Sequence, residues 1–158
     1  MLGELNQDQI DRLLGSQTFG RIGVSDQNRV YIIPINYIFD GTYIYAHTLP
    51  GTKLQLMRSN PEVCLQVDKI KNGSTWQSVL AWGTFQELSG EEAAKVCHQL
   101  GKQFTSLIAS GYALHEMRAS DNHGMPRAII IYRIKLSEKT GRFEQPEEAE
   151  VYPPETRS

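Results

Sequence analysis

The sequence predicts a mostly β protein: a small, closed antiparallel barrel with peripheral helices. Apolar segments with strand-like alternation recur along the chain, and short turn sequences separate them. The regular strand–helix–strand rhythm of a parallel sheet is missing. With 158 residues, 40% hydrophobic and 22% charged, the chain has the size and composition of a single globular domain.

A short helix and three strands are predicted in the first part of the chain. Asn6 and Gln9 form a capping box, which predicts that a helix occupies residues 7–15. Alternating apolar residues then predict strands over 19–25, 29–39 and 42–48.

The second of these strands, 29–39, is apolar on both faces, which is typical of a barrel wall that is also covered on its outside. Pro34 interrupts it and predicts a bulge or an edge position, because proline cannot donate a hydrogen bond to a neighbouring strand. Asp40 and Gly41 predict a type I′ hairpin turn, whose two central residues both have positive φ.

The second part of the chain predicts two helices and three more strands, which makes six strands in total. Leu54, Leu56 and Met57 face inward from the first helix, and a Ser-x-x-Glu capping box at Ser89 starts the second, longer helix. Residues 107–126 are predicted to be irregular, and residues 144–158 to form a loose acidic tail. The predicted elements are a helix over 51–60, strands over 62–70 and 76–88, a helix over 89–106, and a strand over 127–136.

Charge and composition exclude several classes of partner. The net charge of −2 and the absence of an apolar run of about 20 residues argue against nucleic acid and membranes as partners. The N-terminus lacks the features of a secretory signal, so we expect a cytoplasmic protein. His98, His115 and His123 lack the spacing of metal ligands, and no metal site is predicted.

The segment HTLPGTKL, residues 47–54, is the best lead to function. It places Lys53 in the first turn of a predicted helix, where unpaired N–H groups and the helix dipole attract anions. Thr48 and Thr52 can add hydroxyl groups, and the backbone of residues 49–52 can add amides, so the segment can bind a phosphate group. The alternative interpretation is a solvated lysine beside a structural turn.

An ordered set of motifs extends this lead: GRIGV, VYIIPINYIFDG, YIYAHT, GTKLQLMRSNPEVC and WQSVLAWG. In these motifs the chain resembles the FMN-binding split-barrel family of pyridoxamine 5′-phosphate oxidase-like proteins, and most of all its small flavin-nucleotide-binding members related to nitroimidazole-resistance reductases. The resemblance covers residues 10 to about 136. It implies one domain over 1–158, a six-stranded antiparallel split β-barrel, with FMN bound between the two protomers of a homodimer.

The resemblance also implies cofactor contacts. One strand borders the flavin ring with its backbone, the next ends near the ribityl chain and the phosphate, and Lys53 corresponds to the phosphate-binding lysine of the family. A contributor from the second subunit is expected in the last strand, where Arg127 is the candidate. Together, the residues implied to bind the cofactor are Ile35, Asn36, Tyr37, His47, Thr48, Thr52, Lys53, Leu54, Gln77 and Ser78.

The implied activity is a flavin-dependent oxidation or reduction of a small organic substrate, with electrons from a nicotinamide cofactor or a partner. The chain departs from classical members by having Thr52 where they have an arginine, so pyridoxamine phosphate is not the expected substrate. The alternatives are a non-catalytic carrier of flavin or haem, and a dimeric interaction barrel without a cofactor. His47 is the one candidate for a catalytic role, against the alternative of a strand histidine whose hydrogen bonds the backbone satisfies.

Hydrophobic residues in three parts of the sequence also predict a dimer. Trp76, Trp82 and the apolar segment 129–132 are more hydrophobic than one small barrel needs. We therefore expect them to line the seam between the two chains.

Overall fold

The computed structural model describes residues 1–104 and 129–147. Residues 105–128 and 148–158, which include Arg127, His115 and His123, the predicted irregular segment and most of the predicted tail, lie outside the described residues. The elements are β1 (Leu2–Glu4), α1 (Gln7–Ser16), β2 (Phe19–Asp26), β3 (Arg29–Asn36), β4 (Ile38–Phe39), β5 (Tyr43–Thr48), α2 (Thr52–Ser59), β6 (Glu62–Asn72), β7 (Thr75–Glu87), α3 (Gly90–Gln103) and β8 (Ile130–Glu144).

The strands form one antiparallel sheet in the order β3-β2-β6-β7-β8-β5-β4, and β1 pairs with β8. The two edges of this order, β3 and β4, follow one another in the chain and are separated only by Tyr37. The sheet therefore curls until its two edge strands come together, connected through Tyr37. Because β3 and β4 are not neighbours in the strand order, this junction is the split of the barrel. The mostly β, antiparallel prediction is confirmed, with eight strands in the described residues instead of six.

The split explains part of the difference in strand count, because the strand predicted over 29–39 is divided at Tyr37. This side chain is fully buried, its hydroxyl donates to the carbonyl of Leu14 at 2.7 Å, and its N–H donates to the carbonyl of Thr18 at 2.9 Å. Pro34 lies in β3 opposite Arg21, and β3 is an edge strand as Pro34 predicted.

The hairpin between β4 and β5 is confirmed, but its turn is not the predicted type I′. Gly41 has a φ of +99°, while Asp40 is not among the described residues with positive φ. Instead, the Asp40 carboxylate accepts hydrogen bonds from the N–H groups of Thr42 and Tyr43, at 2.9 and 2.7 Å. Two successive residues of positive φ occur between β2 and β3, at Gln27 and Asn28.

The helices agree with the sequence except at one cap. The Asn6–Gln9 capping box of α1 is present, with both hydrogen bonds at 2.9 Å. The predicted capping box of α3 is wrong, because Ser89 makes no side-chain cap bond. Gly90 follows it with a φ of +64°, so the chain enters α3 through a left-handed residue. None of the helices in the described ranges is long and apolar enough to cross a bilayer.

Strand β8 is longer than predicted, since it continues past residue 136 to Glu144. Its extension pairs with β7 and with β1, and the Trp76 indole donates to the Glu144 carboxylate at 2.9 Å. The predicted end of the barrel core near residue 136 is therefore too early. The sequence after residue 136 is polar and charged, which concealed a strand whose outer face meets water.

The apolar residues form two clusters. The larger fills the barrel interior, and the smaller lies between α3 and the outside of the sheet, where Ile129 and Ile131 are buried. The segment 129–132 is thus covered within one chain and is not free to line a dimer seam as predicted. The outside of β3 is open instead: Val30 is 68% and Ile32 71% exposed, so the prediction that this strand is covered on both faces is wrong for the single chain.

Candidate functional site

The segment that the sequence singled out forms a corner where β5 ends and α2 begins. Along β5 the side chains alternate, so that Ala46 and Thr48 point into the barrel and His47 points to its outside. The loop 49–51 then turns the chain into α2, which carries Lys53 in its first turn. His47 and Lys53 are both half-buried. We call this place the β5–α2 corner: His47 and Thr48, the loop 49–51, and Thr52 and Lys53.

The start of α2 has free hydrogen-bond donors. Gly51 occupies the N-cap and has no side chain that could cap the helix. The N–H groups of Thr52, Lys53 and Leu54 have no acceptor within α2, and within residues 1–104 and 129–147 no other hydrogen bond of theirs occurs. These donors and the helix dipole make the start of α2 electropositive.

Lys53 is unusual among the charged residues of the described ranges. It is half-buried, and in these ranges it makes neither an ion pair nor a hydrogen bond. Burial lowers the pKa of the Lys53 ammonium below its ordinary value, because a charged group loses hydration in the protein. An ammonium held in this way is predisposed to bind an anion.

His47 is the second half-buried polar group of the corner. Its Nδ1 atom is buried and has no hydrogen-bond partner in the described part of the chain. Burial, and to a smaller extent the positive charge of Lys53, lower the pKa of His47 below its ordinary value. The backbone does not satisfy this nitrogen, contrary to the alternative interpretation of His47 as an ordinary strand histidine.

Four residues implied to bind the cofactor point into the barrel instead. Their side chains are buried, so only their backbone atoms could contact a ligand outside. The Thr48 hydroxyl donates to the carbonyl of Leu49, in the loop of the corner, at 3.0 Å. These four residues are Ile35, Tyr37, Thr48 and Leu54.

The outer face of the sheet brings two other predicted residues into one row. Asn36 pairs with Phe19, and Ser78 pairs with Asp68. Continuing the register between β2 and β6 places Phe19 beside Asp68, so Asn36 and Ser78 lie on the same face, about 14 Å apart over three strand spacings. Gln77 points to the other face by the alternation of β7.

The sequence did not single out the polar residues between them. The Gln66 amide donates to the Asp68 carboxylate and, at 3.2 Å, to the Ser78 hydroxyl, and Arg21 lies 3.8 Å from Asp68. The alternation of β2 and β6 could have identified these residues as outward-facing. Their assembly into one row depends on strand register, which no single segment specifies.

The chain is thus a small antiparallel split barrel. Its β5–α2 corner carries a half-buried lysine, and a histidine whose Nδ1 atom has no hydrogen-bond partner among the described residues. The sequence pattern of one family, Pyridoxamine 5′-phosphate oxidase, matches residues 6–143. The chain therefore belongs to the pyridoxamine 5′-phosphate oxidase-like family, as the ordered motifs predicted.

One similar sequence is an uncharacterized protein of Rhizobium meliloti (strain 1021), 31% identical over 94 residues. The match spans 60% of this chain and 60% of the length of that relative.

Solved structures share the fold. An FAD-binding protein from Mesorhizobium loti superposes with a TM-score of 0.73 at 23% identity, over 92% of this chain and 99% of that chain. A candidate 5-nitroimidazole antibiotic resistance protein from Bacteroides thetaiotaomicron VPI-5482 gives 0.66 at 15% identity, over 90% and 87%. An FAD and haem binding protein from Mycobacterium smegmatis gives 0.64 at 14% identity, over 94% and 76%.

Proposed function

We propose that this protein is an FMN-binding flavoprotein that holds the FMN phosphate at the β5–α2 corner. The observation that carries the proposal is the half-buried Lys53 ammonium beside the uncapped start of α2. A cation withdrawn from water without a partner costs free energy, and a bound phosphate would remove that cost. Membership of the family, and the fold shared with an FAD-binding protein, support a flavin as the ligand.

The donors of the corner suit a terminal phosphate. Lys53 supplies the charge, Thr52 is exposed and supplies a hydroxyl, and the first amides of α2 supply directed N–H groups. FMN ends in a single phosphate, whereas FAD continues through a second phosphate to adenosine. One ammonium, one imidazole and one helix start match the single phosphate better than the pair.

The rest of the cofactor would lie along the outside of the barrel. Asn36 and Ser78 are the predicted residues on that face whose side chains can reach a ligand there. The backbone of Ile35, near the end of the edge strand β3, would provide a third contact with the cofactor. Gln77 faces away from the row that joins Asn36 to Ser78, so we do not propose that it contacts the cofactor bound to its own chain.

We propose that a second copy of the chain covers this face and completes the site. Apolar side chains are exposed on β2, β3 and β7, where they continue the outer row: Phe19 is 49% exposed, Ile32 71% and Trp82 37%. The register places Ile32, Gly23, Cys64 and Trp82 side by side. Burial of such a face against an identical one is the common route to a two-fold dimer. A monomer in sedimentation at micromolar concentration would contradict this part of the proposal.

The proposed activity is the oxidation or reduction of a small organic substrate, with electrons from a nicotinamide cofactor or a partner protein. A bound flavin supplies the redox chemistry, while the protein binds it, orients it and limits its contact with water. Within the described ranges the corner offers one unpaired lysine, which the FMN phosphate would occupy. A second phosphate on the substrate would therefore lack a counter-charge, and we propose a substrate without a phosphate group.

The decisive experiment follows FMN, FAD and riboflavin binding to the purified, flavin-free protein by absorbance and fluorescence. We expect FMN to bind most tightly and riboflavin to bind weakly, since it lacks the phosphate. Lys53→Met should weaken FMN about 10- to 100-fold, the range for a charge-assisted hydrogen bond, and leave riboflavin unchanged. Lys102→Met, at an exposed lysine of α3, is the matched control. Equal binding of FMN by both variants would refute the proposal.

A second candidate function is a non-catalytic carrier of flavin or haem. The observation that favours it is the unpartnered nitrogen of His47, because a free imidazole nitrogen is a common axial ligand of haem. The fold is also shared with an FAD and haem binding protein. A Soret band that His47→Ala abolishes would favour haem. A bound flavin that no nicotinamide cofactor reduces under anaerobic conditions would favour the carrier over the enzyme.

A further inference from the structure

The β5–α2 corner contains two basic groups in different states. Lys53 is a half-buried ammonium without an anion, and His47 presents a buried Nδ1 atom without a hydrogen-bond partner among the described residues. A neutral imidazole carries one donor and one acceptor nitrogen, and a protonated imidazole carries two donors. A buried nitrogen without a partner therefore has unmet hydrogen-bonding capacity, and its protonation would become favourable once a nearby anion compensates the added charge.

The charges around His47 define which way its protonation is biased. Lys53, on α2, is the charged group whose field reaches His47 and opposes protonation. Several other charges already have partners: Arg133 on β8 binds Glu92 of α3, Arg58 on α2 binds Glu87, and Asp40 binds its own hairpin. The other charged or titratable groups of β3, β5, β8 and α3 are Arg29 and Tyr31 on β3, Tyr43 and Tyr45 on β5, Tyr132, Lys135, Glu138, Lys139, Arg142 and Glu144 on β8, and Glu91, Lys95, Cys97, His98 and Lys102 on α3.

We infer that His47 takes up a proton when a phosphate monoester binds at the corner, so that anion binding there is coupled to the protonation of one histidine. This inference rests on the proposed function, since it concerns the same phosphate. Burial and Lys53 hold the pKa of His47 below its ordinary value while the corner contains no anion. A phosphate carries between one and two negative charges near neutral pH, and an opposite charge within a few ångströms raises the pKa of a histidine.

The consequence is a site that binds its ligand more tightly as the pH falls toward 6. Where one proton is taken up with the ligand, affinity changes by up to about tenfold per pH unit. The protonated His47 would add a charge-assisted donor to the ammonium of Lys53. Riboflavin, which lacks the phosphate, would bind without this proton.

Isothermal titration calorimetry of the full chain tests the inference, with FMN and with riboflavin in two buffers of different ionisation enthalpy near pH 7. The buffer dependence of the heat gives the number of protons taken up per site. We expect uptake with FMN in the wild-type protein, less uptake in His47→Asn, and none with riboflavin. His98→Asn, at an exposed histidine of α3, is the matched control and should behave as wild type.

The outcomes separate the two claims. If FMN binds but wild type and His47→Asn take up the same number of protons, this inference is wrong and the proposed function stands. If FMN does not bind the wild-type protein at any pH, both are wrong. If His47→Asn does not fold, the imidazole carbon resonance of His47 in the wild-type protein decides: its titration midpoint must rise on adding FMN, and an unchanged midpoint overturns the inference.

Discussion

Two regions of the barrel treat a partly buried lysine in opposite ways. Where α1 packs on β8, the ammonium of Lys139 binds the carboxylate of Asp11 and lies 5.9 Å from the ring of Phe39. At the β5–α2 corner, Lys53 has no anion among the described residues, and its charge lowers the pKa of His47. The lysine of the first region is paired within one chain, whereas we propose that the lysine of the second is paired by the phosphate of a bound ligand.

This difference distinguishes residues that stabilise the fold from residues that we propose bind a ligand. Where α1 packs on β8, Lys139 is paired with Asp11, the Tyr37 hydroxyl donates to Leu14, and the side chains of α1 pack closely on Gly141. At the corner, an amide-rich helix start, an ammonium and an imidazole remain unsatisfied, which costs stability. Natural proteins retain such costs at functional sites. Four sets of substitutions test the difference between satisfied and unsatisfied groups, from the largest expected effect to the smallest.

Glycine-to-alanine substitutions should show the difference in packing most strongly. A Cβ atom on Gly141, in β8, would lie 2.9 Å from atoms of Ile10 and Leu5, whereas one on Gly51, at the corner, meets nothing within 4 Å. We expect Gly141→Ala to lower the free energy of unfolding by about 1–3 kcal/mol through overpacking. Gly51→Ala should change it by less than about 0.5 kcal/mol. Urea unfolding measures both, and equal effects would contradict the contrast.

The two fully buried tyrosines provide the second comparison. The Tyr37 hydroxyl donates to the carbonyl of Leu14 in α1, whereas the Tyr132 hydroxyl, on β8 opposite Ala46 of β5, has no partner among the described residues. Tyr37→Phe should lower the free energy of unfolding by about 1–2 kcal/mol, because it leaves a buried carbonyl unpaired. Tyr132→Phe should leave it unchanged or raise it slightly. A larger loss for Tyr132→Phe in chemical unfolding would disprove this assignment.

The ion pair of the complete region should have a smaller effect. Lys139→Met removes the partner of Asp11, whose side chain is 41% exposed, so water can compensate for most of the loss. We expect the free energy of unfolding to fall by about 1 kcal/mol or less. The double variant Asp11→Asn/Lys139→Met should recover part of the loss, which a double-mutant cycle measures. If the double variant loses as much free energy of unfolding as Lys139→Met alone, packing and not charge is responsible for the loss.

The pH dependence of the unliganded protein should show the smallest effect. The pKa of His47 is lowered from 6.5 in the folded state, so the unfolded chain binds the proton more tightly. The contribution of neutral His47 to the free energy of unfolding is therefore fully present above about pH 6.5 and is lost as the pH falls below that value. Between pH 7.5 and pH 5.5, we expect the unfolding midpoint to fall less in His47→Asn than in wild type. The fall in the control variant His98→Asn should equal that of wild type. Identical losses in all three would rule out His47 as a source.

The sequence predicted the parts of the fold that depend on local chemistry. The Asn6–Gln9 cap, the helix that starts after Gly51 and the edge position of Pro34 all follow from the properties of a few adjacent residues. The type I′ turn was expected at Asp40–Gly41 and is wrong there, because the Asp40 carboxylate caps the turn and leaves only Gly41 with positive φ. Likewise, the length of β8 depends on its partners β7 and β1, which its polar sequence beyond residue 136 does not reveal.

In the candidate site, too, the sequence predicts local features and not those that depend on the fold. Lys53 and His47 could be chosen from a single segment, since a helix start and a strand end are local features. Their lack of partners could not, because it depends on which groups the fold brings near them. The inward direction of Thr48 and the row from Asn36 to Ser78 were also beyond the sequence, as both follow from strand register.

The measurement that tests the account most directly is the stability of wild type and Lys53→Met, each with and without saturating FMN. Without FMN, we expect Lys53→Met to be as stable as wild type or more stable, because a desolvated charge has been removed. With FMN at about 100 times its dissociation constant, wild type should gain about 2.7 kcal/mol and become the more stable protein. If Lys53→Met is less stable than wild type by the same amount in both conditions, Lys53 is a structural residue and the account is wrong.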